Sequence, residues 1–135
     1  MKYEEMLRMQ KKKGIRKKSD NEEHRIQTAM VGWFRAQYPK MQHNLFAVPN
    51  GGRRDAITGA ILKAEGVLAG VADLILLKSN RHYGALLIET KTRKGKQRDS
   101  QKEWESKITK DGYKYVIVRS LDDFMREVKS YLMDV

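Results

Sequence analysis

Two carboxylates and a lysine in the middle of the chain are the residues whose types and spacing point to chemistry. Asp73 interrupts the apolar run Val71-Ala72-Asp73-Leu74-Ile75-Leu76-Leu77, and Glu89 and Lys91 close the next such run, Tyr83 to Lys91. Burying an ionised carboxylate without a partner costs several kcal/mol or more, so each acid requires a cation. Side chains on a strand alternate with period two, which puts Glu89 and Lys91 on one face. If the two runs pair so that Asp73 meets Glu89, two carboxylates and an ammonium converge at one edge of the sheet. Facing acids repel unless a proton or a divalent metal lies between them. Oxygen donors of this kind suit Mg²⁺ or Mn²⁺, with water or a substrate phosphate completing the shell. Plainer roles compete: Glu89 and Lys91 can mark a strand emerging into solvent, and Asp73 can pair with an arginine or cap a turn.

The charge distribution bears on the partner. The 135 residues carry 28 Lys and Arg against 17 Asp and Glu, a net +11. Residues 1–18 contribute +6 of this excess and Lys91 to Arg98 another +5, so the rest of the chain is neutral. Two concentrated positive clusters on a neutral body suit a polyanion, most commonly nucleic acid. No cysteine is present, which excludes disulfides, thiol nucleophiles and Cys-ligated zinc or iron–sulfur sites. His24, His43 and His82 are too scattered to suggest a zinc site. No run approaches the ~18 apolar residues of a membrane span, and the opening Met1 to Glu5 has no apolar signal core. The expectation is a protein without membrane association, located in the cytoplasm of a bacterium or of a virus-infected cell.

The elements that must position these residues can be read from periodicity and turn signals. Residues 1–19 read as a basic arm, and 20–135 as one domain large enough to bury its own core. Lys11, Lys12 and Lys13 make the arm a candidate phosphate clamp. Ser19 and Asp20, each with a glutamate three residues on (Glu22, Glu23), are candidate N-caps for a helix with Ile26, Ala29, Met30, Trp33 and Phe34 as its stripe. By spacing alone, Glu23 is a first-turn acid favoured by the helix dipole. Asn44 to Val48 reads as a short strand closed by the turn Pro49-Asn50-Gly51-Gly52. A short helix over Ile57 to Glu65, with Ala60, Ile61 and Ala64 inward, ends at Gly66.

Apart from Asp73, Val71–Leu77 is an apolar run, and Tyr83–Lys91 carries the continuous Ala85-Leu86-Leu87-Ile88, as interior strands do; their short connection makes them an antiparallel hairpin. A helix over Gln101 to Lys110 follows the basic loop, with Asp99 and Ser100 as caps and Trp104 and Ile108 inward. Gly112 stops it, Tyr113 to Arg119 is a fourth strand, and Ser120 caps a last helix through Tyr131. Leu121, Phe124, Met125, Val128 and Leu132 form its apolar stripe. The order predicts an α/β fold, a mixed sheet of about four strands flanked by helices on both faces.

Gly70-Val71-Ala72-Asp73 followed by Ile88-Glu89-Thr90-Lys91 resembles the bipartite motif of PD-(D/E)XK nucleases, of restriction-endonuclease-like fold. Glu23 with Gln27, Pro49-Asn50-Gly51-Gly52, Leu62 to Val67, Gly95, Gln101 with Trp104, and Gly112-Tyr113 extend the likeness to the virus-type replication-repair nuclease (VRR-NUC) family, over about residues 20 to 133.

The resemblance implies a Mg²⁺- or Mn²⁺-dependent DNA endonuclease. Asp73 and Glu89 match its metal-binding acids, and the Thr90 carbonyl a further ligand. Lys91 matches the lysine that orients or deprotonates the attacking water. Glu23, with Glu22 as the alternative, matches the first-helix acid, and Gln101 a glutamine that orders the site. Arg98 stands where many relatives have a serine. Lys94, Lys96 and Arg98, with Asn50, Arg53 and Arg54 in the glycine-rich loop, are the expected DNA contacts. Stand-alone members resemble Holliday-junction resolvases acting in DNA repair and recombination, so the resemblance implies a homodimer acting on branched DNA. A nuclease acting on linear or nicked duplex, and a non-catalytic DNA-binding module, are the alternatives.

Overall fold

The computed structural model describes residues 18–49 and 56–135, together with the side chains of 21–49 and 57–135. In chain order the elements are helix α1 (Lys18–Gln37), a 3-10 turn (Pro39–Asn44), strand β1 (Leu45–Ala47), helix α2 (Ala56–Ala64), strands β2 (Leu74–Leu76) and β3 (Leu86–Thr90), helix α3 (Asp99–Thr109), strand β4 (Lys114–Val118) and helix α4 (Leu121–Met133). The strands form one mixed sheet in the order β1-β2-β3-β4. β1 and β2 are antiparallel, as are β2 and β3, whereas β4 runs parallel to β3 after the α3 crossover.

The central strand β3 is buried at all five positions because both faces of the sheet are covered. On one face Leu74, Leu76, Leu86, Ile88 and Val118 pack against Met30 and Phe34 of α1 and Phe124, Val128 and Tyr131 of α4. Burying side chains of this size contributes about 1.5–3 kcal/mol each, so this layer is the main source of stability. On the other face Ala72, Ala85 and Leu87 form a smaller cluster with Ile75, Trp104, Ile108 and Tyr115 under α3.

Several local expectations are met for the physical reasons that motivated them. Gly66 and Gly112 take positive φ (103° and 91°) where α2 and α3 stop. After α2 the Val67 N–H donates to Leu62 O and the Gly66 N–H to Lys63 O, the paired bonds of a glycine-terminated helix. Ser120 Oγ accepts from the Asp123 N–H at 3.1 Å and caps α4.

Other expectations are corrected. The chain is already helical at Lys18, the first described residue, so Ser19 and Asp20 lie within α1 rather than capping it. Arg98 is the N-cap of α3, which places Asp99 and Ser100 in its first turn. Ala60, Ile61 and Ala64 of α2 are exposed, while Gly59 and Leu62 are half-buried. Apolar residues surround that helix on several sides, so periodicity could not select its inner face. β2 is only three residues long, and Leu77 is exposed. Asp73 therefore stands at the mouth of the strand rather than inside it. Tyr131, absent from the expected α4 stripe, is buried, and its hydroxyl donates to Lys78 O at 2.5 Å.

Candidate active site and metal centre

The β2–β3 register sets the site. Leu74 lies opposite Ile88 and Ile75 opposite Leu87, so one step further Asp73 lies opposite Glu89. Two backbone contacts hold Asp73 there. Its carbonyl accepts the Val48 N–H at 2.8 Å, and its Oδ2 accepts the Thr90 N–H at 2.8 Å. Gly70 supplies the approach. Its φ of 89° is open to glycine, and a Cβ at this position would lie 2.3 Å from Ser100 O and 3.1 Å from Gln101 N. The segment leading to Asp73 thus lies directly against the first turn of α3.

Glu89 is fully buried and faces Asp73 across the β2–β3 pair. Its Oε1 accepts from Gln101 Nε2 at 3.1 Å and its Oε2 from the Tyr115 hydroxyl at 3.2 Å. Burial, and then the neighbouring Asp73 carboxylate, push Glu89 up to about 9, opposed by the Lys91 cation and the Tyr115 hydrogen bond. At neutral pH the metal-free pair therefore keeps a proton on Glu89. Burial first, and then the Glu89 charge, raises the Tyr115 phenol well above its ordinary value, so it remains a donor.

Lys91 is buried just beyond β3, where its N–H donates to Val118 O at 3.0 Å and extends the β3–β4 ladder. Thr90 is also buried, and its Oγ1 has no hydrogen-bond partner. Gln101 is buried and bridges two parts of the site: its Oε1 accepts the Arg98 N–H at 2.7 Å while its Nε2 reaches Glu89. This bond satisfies the backbone donor of the N-cap, whose own side chain supplies no cap.

Glu23 is half-buried and Glu22 exposed on α1. Among the described residues no three acidic or histidine side chains converge closely enough to hold an ion together. The Asp73–Glu89 pair fits a small oxygen-liganded cation, because Mg²⁺ takes one or two carboxylates and completes its shell with water and phosphate. A proton held on the buried Glu89 beside the half-buried Asp73 also marks where positive charge is favoured.

The loop after β3 presents the expected cations. Lys94, Lys96 and Arg98 are exposed. Beneath them the Arg119 guanidinium donates from Nη1 to Gly95 O at 2.6 Å and Thr92 O at 2.7 Å, with a longer contact to Arg93 O at 3.4 Å. Asn50, Arg53, Arg54, Lys11, Lys12 and Lys13 lie outside the described residues. Sequence reasoning missed Tyr115, its neighbour Gln97, and Arg119. A tyrosine leading the aliphatic run Val116 to Val118 was the available signal for Tyr115, but its face could not be assigned without the register.

A mixed four-stranded sheet with helices on both faces and an acid pair at the mouth of its central hairpin is a restriction-endonuclease-like α/β architecture. The VRR-NUC domain model matches residues 13–122. The chain belongs to the VRR-NUC family, which implies a nuclease-type function with DNA as substrate. Among solved structures it is similar to a VRR_NUC domain protein at 26% identity, with a TM-score of 0.72, over 83% of this chain and 88% of that one. No curated protein sequence matches it. Among the described residues no helix is long and apolar enough to cross a membrane.

Proposed function

We propose that the protein is a Mg²⁺- or Mn²⁺-dependent DNA endonuclease that acts on branched DNA as a homodimer. The observation that carries this reading is the acid pair itself, Asp73 set opposite the buried Glu89 by the β2–β3 register, with the buried Lys91 two residues further along the chain. A bound divalent cation would offset the negative charge of the phosphodiester, lower the pKa of a water and stabilise the leaving oxygen.

The chain's own residues have distinct tasks. Asp73 and Glu89 hold the cation, with the Thr90 carbonyl and Glu23 as the further ligands of the family pattern. Gln101 orients Glu89. Lys91 places a fixed positive charge beside the scissile phosphate and orients the attacking water. Lys94, Lys96 and Arg98 bind backbone phosphates without reading sequence, and Asn50, Arg53, Arg54 and Lys11 to Lys13 extend that contact. Cutting two strands of a junction calls for two such sites, which a symmetric dimer supplies.

Wild type and Asp73→Ala, incubated with a labelled four-way junction and with linear duplex in Mn²⁺, Mg²⁺ or EDTA, test the reading. Paired junction cuts that need metal and fall at least about a hundredfold in the variant are expected. Light scattering should report a dimer. Equal cutting of linear duplex would remove the junction preference, a monomeric mass would remove the dimer, and metal-independent binding without cleavage would leave a basic DNA-binding module.

A further inference from the structure

We propose that Tyr115 is a positioning residue for this reaction: its hydroxyl fixes one oxygen of Glu89 and, with Gln101 on the other, sets the carboxylate in the orientation that receives a divalent cation. The inference rests on the nuclease reading above.

A glutamate side chain turns about three bonds, and one hydrogen bond leaves the carboxylate free to rotate about its last. Here two donors from different elements take separate oxygens. Gln101 on α3 holds Oε1 at 3.1 Å, and Tyr115 on β4 holds Oε2 at 3.2 Å. Together they define the plane of the carboxylate, which one donor alone would not.

Tyr115 is itself held at both ends. Its ring packs with the Ala72, Ala85 and Leu87 cluster and meets Trp104 edge-on, with centroids 6.1 Å apart. Its hydroxyl accepts from Gln97 Nε2 at 3.3 Å, and the same nitrogen donates to Glu105 Oε1 at 2.8 Å. A phenol has a single hydrogen. With Gln97 donating to the oxygen, that hydrogen is left for Glu89. Groups that orient a metal ligand in this way typically change metal affinity 10–100-fold when removed.

A purely structural tyrosine would serve equally well as phenylalanine, which preserves the ring. Tyr115→Phe is therefore the test, with Mn²⁺ binding by the full chain followed in the absence of DNA by the electron paramagnetic resonance signal of free Mn²⁺. Affinity about tenfold weaker than wild type is expected. Cleavage should shift to higher Mn²⁺ concentration and recover most of its rate at saturation. Gln97→Ala, which leaves the whole tyrosine in place, should weaken binding in the same direction but less.

A Tyr115→Phe affinity within twofold of wild type overturns the proposal, as does a lower maximal rate with unchanged Mn²⁺ dependence. If Tyr115→Phe does not fold, an unaltered Gln97→Ala affinity overturns it instead. Wild-type protein that binds no Mn²⁺ would remove the nuclease reading and this inference together. Wild-type binding with unaltered variants would remove the role of Tyr115 alone.

Discussion

The two faces of the sheet are built from alternate residues of the same strands, yet they differ in kind. Leu86 and Ile88 of β3 point into a layer of hydrocarbon from α1 and α4, where Phe34, Phe124 and Val128 are fully buried. Leu87 and Glu89 face α3, where a small apolar cluster gives way to two acids, two amides and a phenol joined by hydrogen bonds. The first buries groups that gain by leaving water, whereas the second, with Tyr115 and Trp104 only half-buried, also holds a carboxylate that burial disfavours in its charged form. The first face supports the molecule energetically, and the second keeps a strained charge balance that a cation would relieve.

Substitutions can break this comparison at either face. The largest effect on stability is expected from Phe124→Ala, which empties part of the hydrocarbon layer and should cost about 3–5 kcal/mol in urea denaturation. Metal affinity of the remaining folded protein should not change, and a parallel loss of Mn²⁺ binding would show the faces to be coupled.

Glu89→Gln should act in the opposite sense. The folded protein holds the Glu89 proton up to about pH 9, whereas an ordinary glutamate releases it near 4.5. This proton therefore stabilises the metal-free fold fully below about pH 4.5, and its contribution falls as the pH rises through 9. In EDTA the wild-type melting temperature should decline between pH 5 and 9 relative to that of Glu89→Gln, which has no titrating group at position 89. Parallel profiles would show that the acid pair does not hold its proton. The smallest effect is expected from Ser120→Ala, which removes only the α4 cap and should cost about 1 kcal/mol in the same urea experiment.

What the sequence made legible follows the same division. Continuous apolar runs with a short connection suffice to place an antiparallel hairpin, whereas the meeting of Asp73 with Glu89 rested on a register that the sequence left as a condition. Glycines at 66 and 112 mark helix ends because each needs positive φ. A run that is apolar at every position, however, does not say which neighbours lie on which face. For that reason the contact between Glu89 and Tyr115, 26 residues apart, was invisible until the parallel β3–β4 register placed Leu87 beside Tyr115. The start of α3 was misread because Asp99 and Ser100 are good caps by type, whereas the backbone of Arg98 is capped by a glutamine already engaged with the acid. The approach of Gly70 to Ser100 is likewise a contact between distant segments, which local patterns do not encode.

The anchoring of the basic loop by Arg119 has a consequence for variation. The guanidinium grips carbonyl oxygens at positions 92, 93 and 95, and a carbonyl is the same whatever side chain its residue bears. The loop can therefore exchange its lysines and arginines without loosening from the body. A one-residue insertion or deletion would instead move those oxygens out of register with their anchor. Its length is constrained while its charge is free to vary, so the attraction of this surface for phosphate can be retuned without disturbing the chemistry beside it.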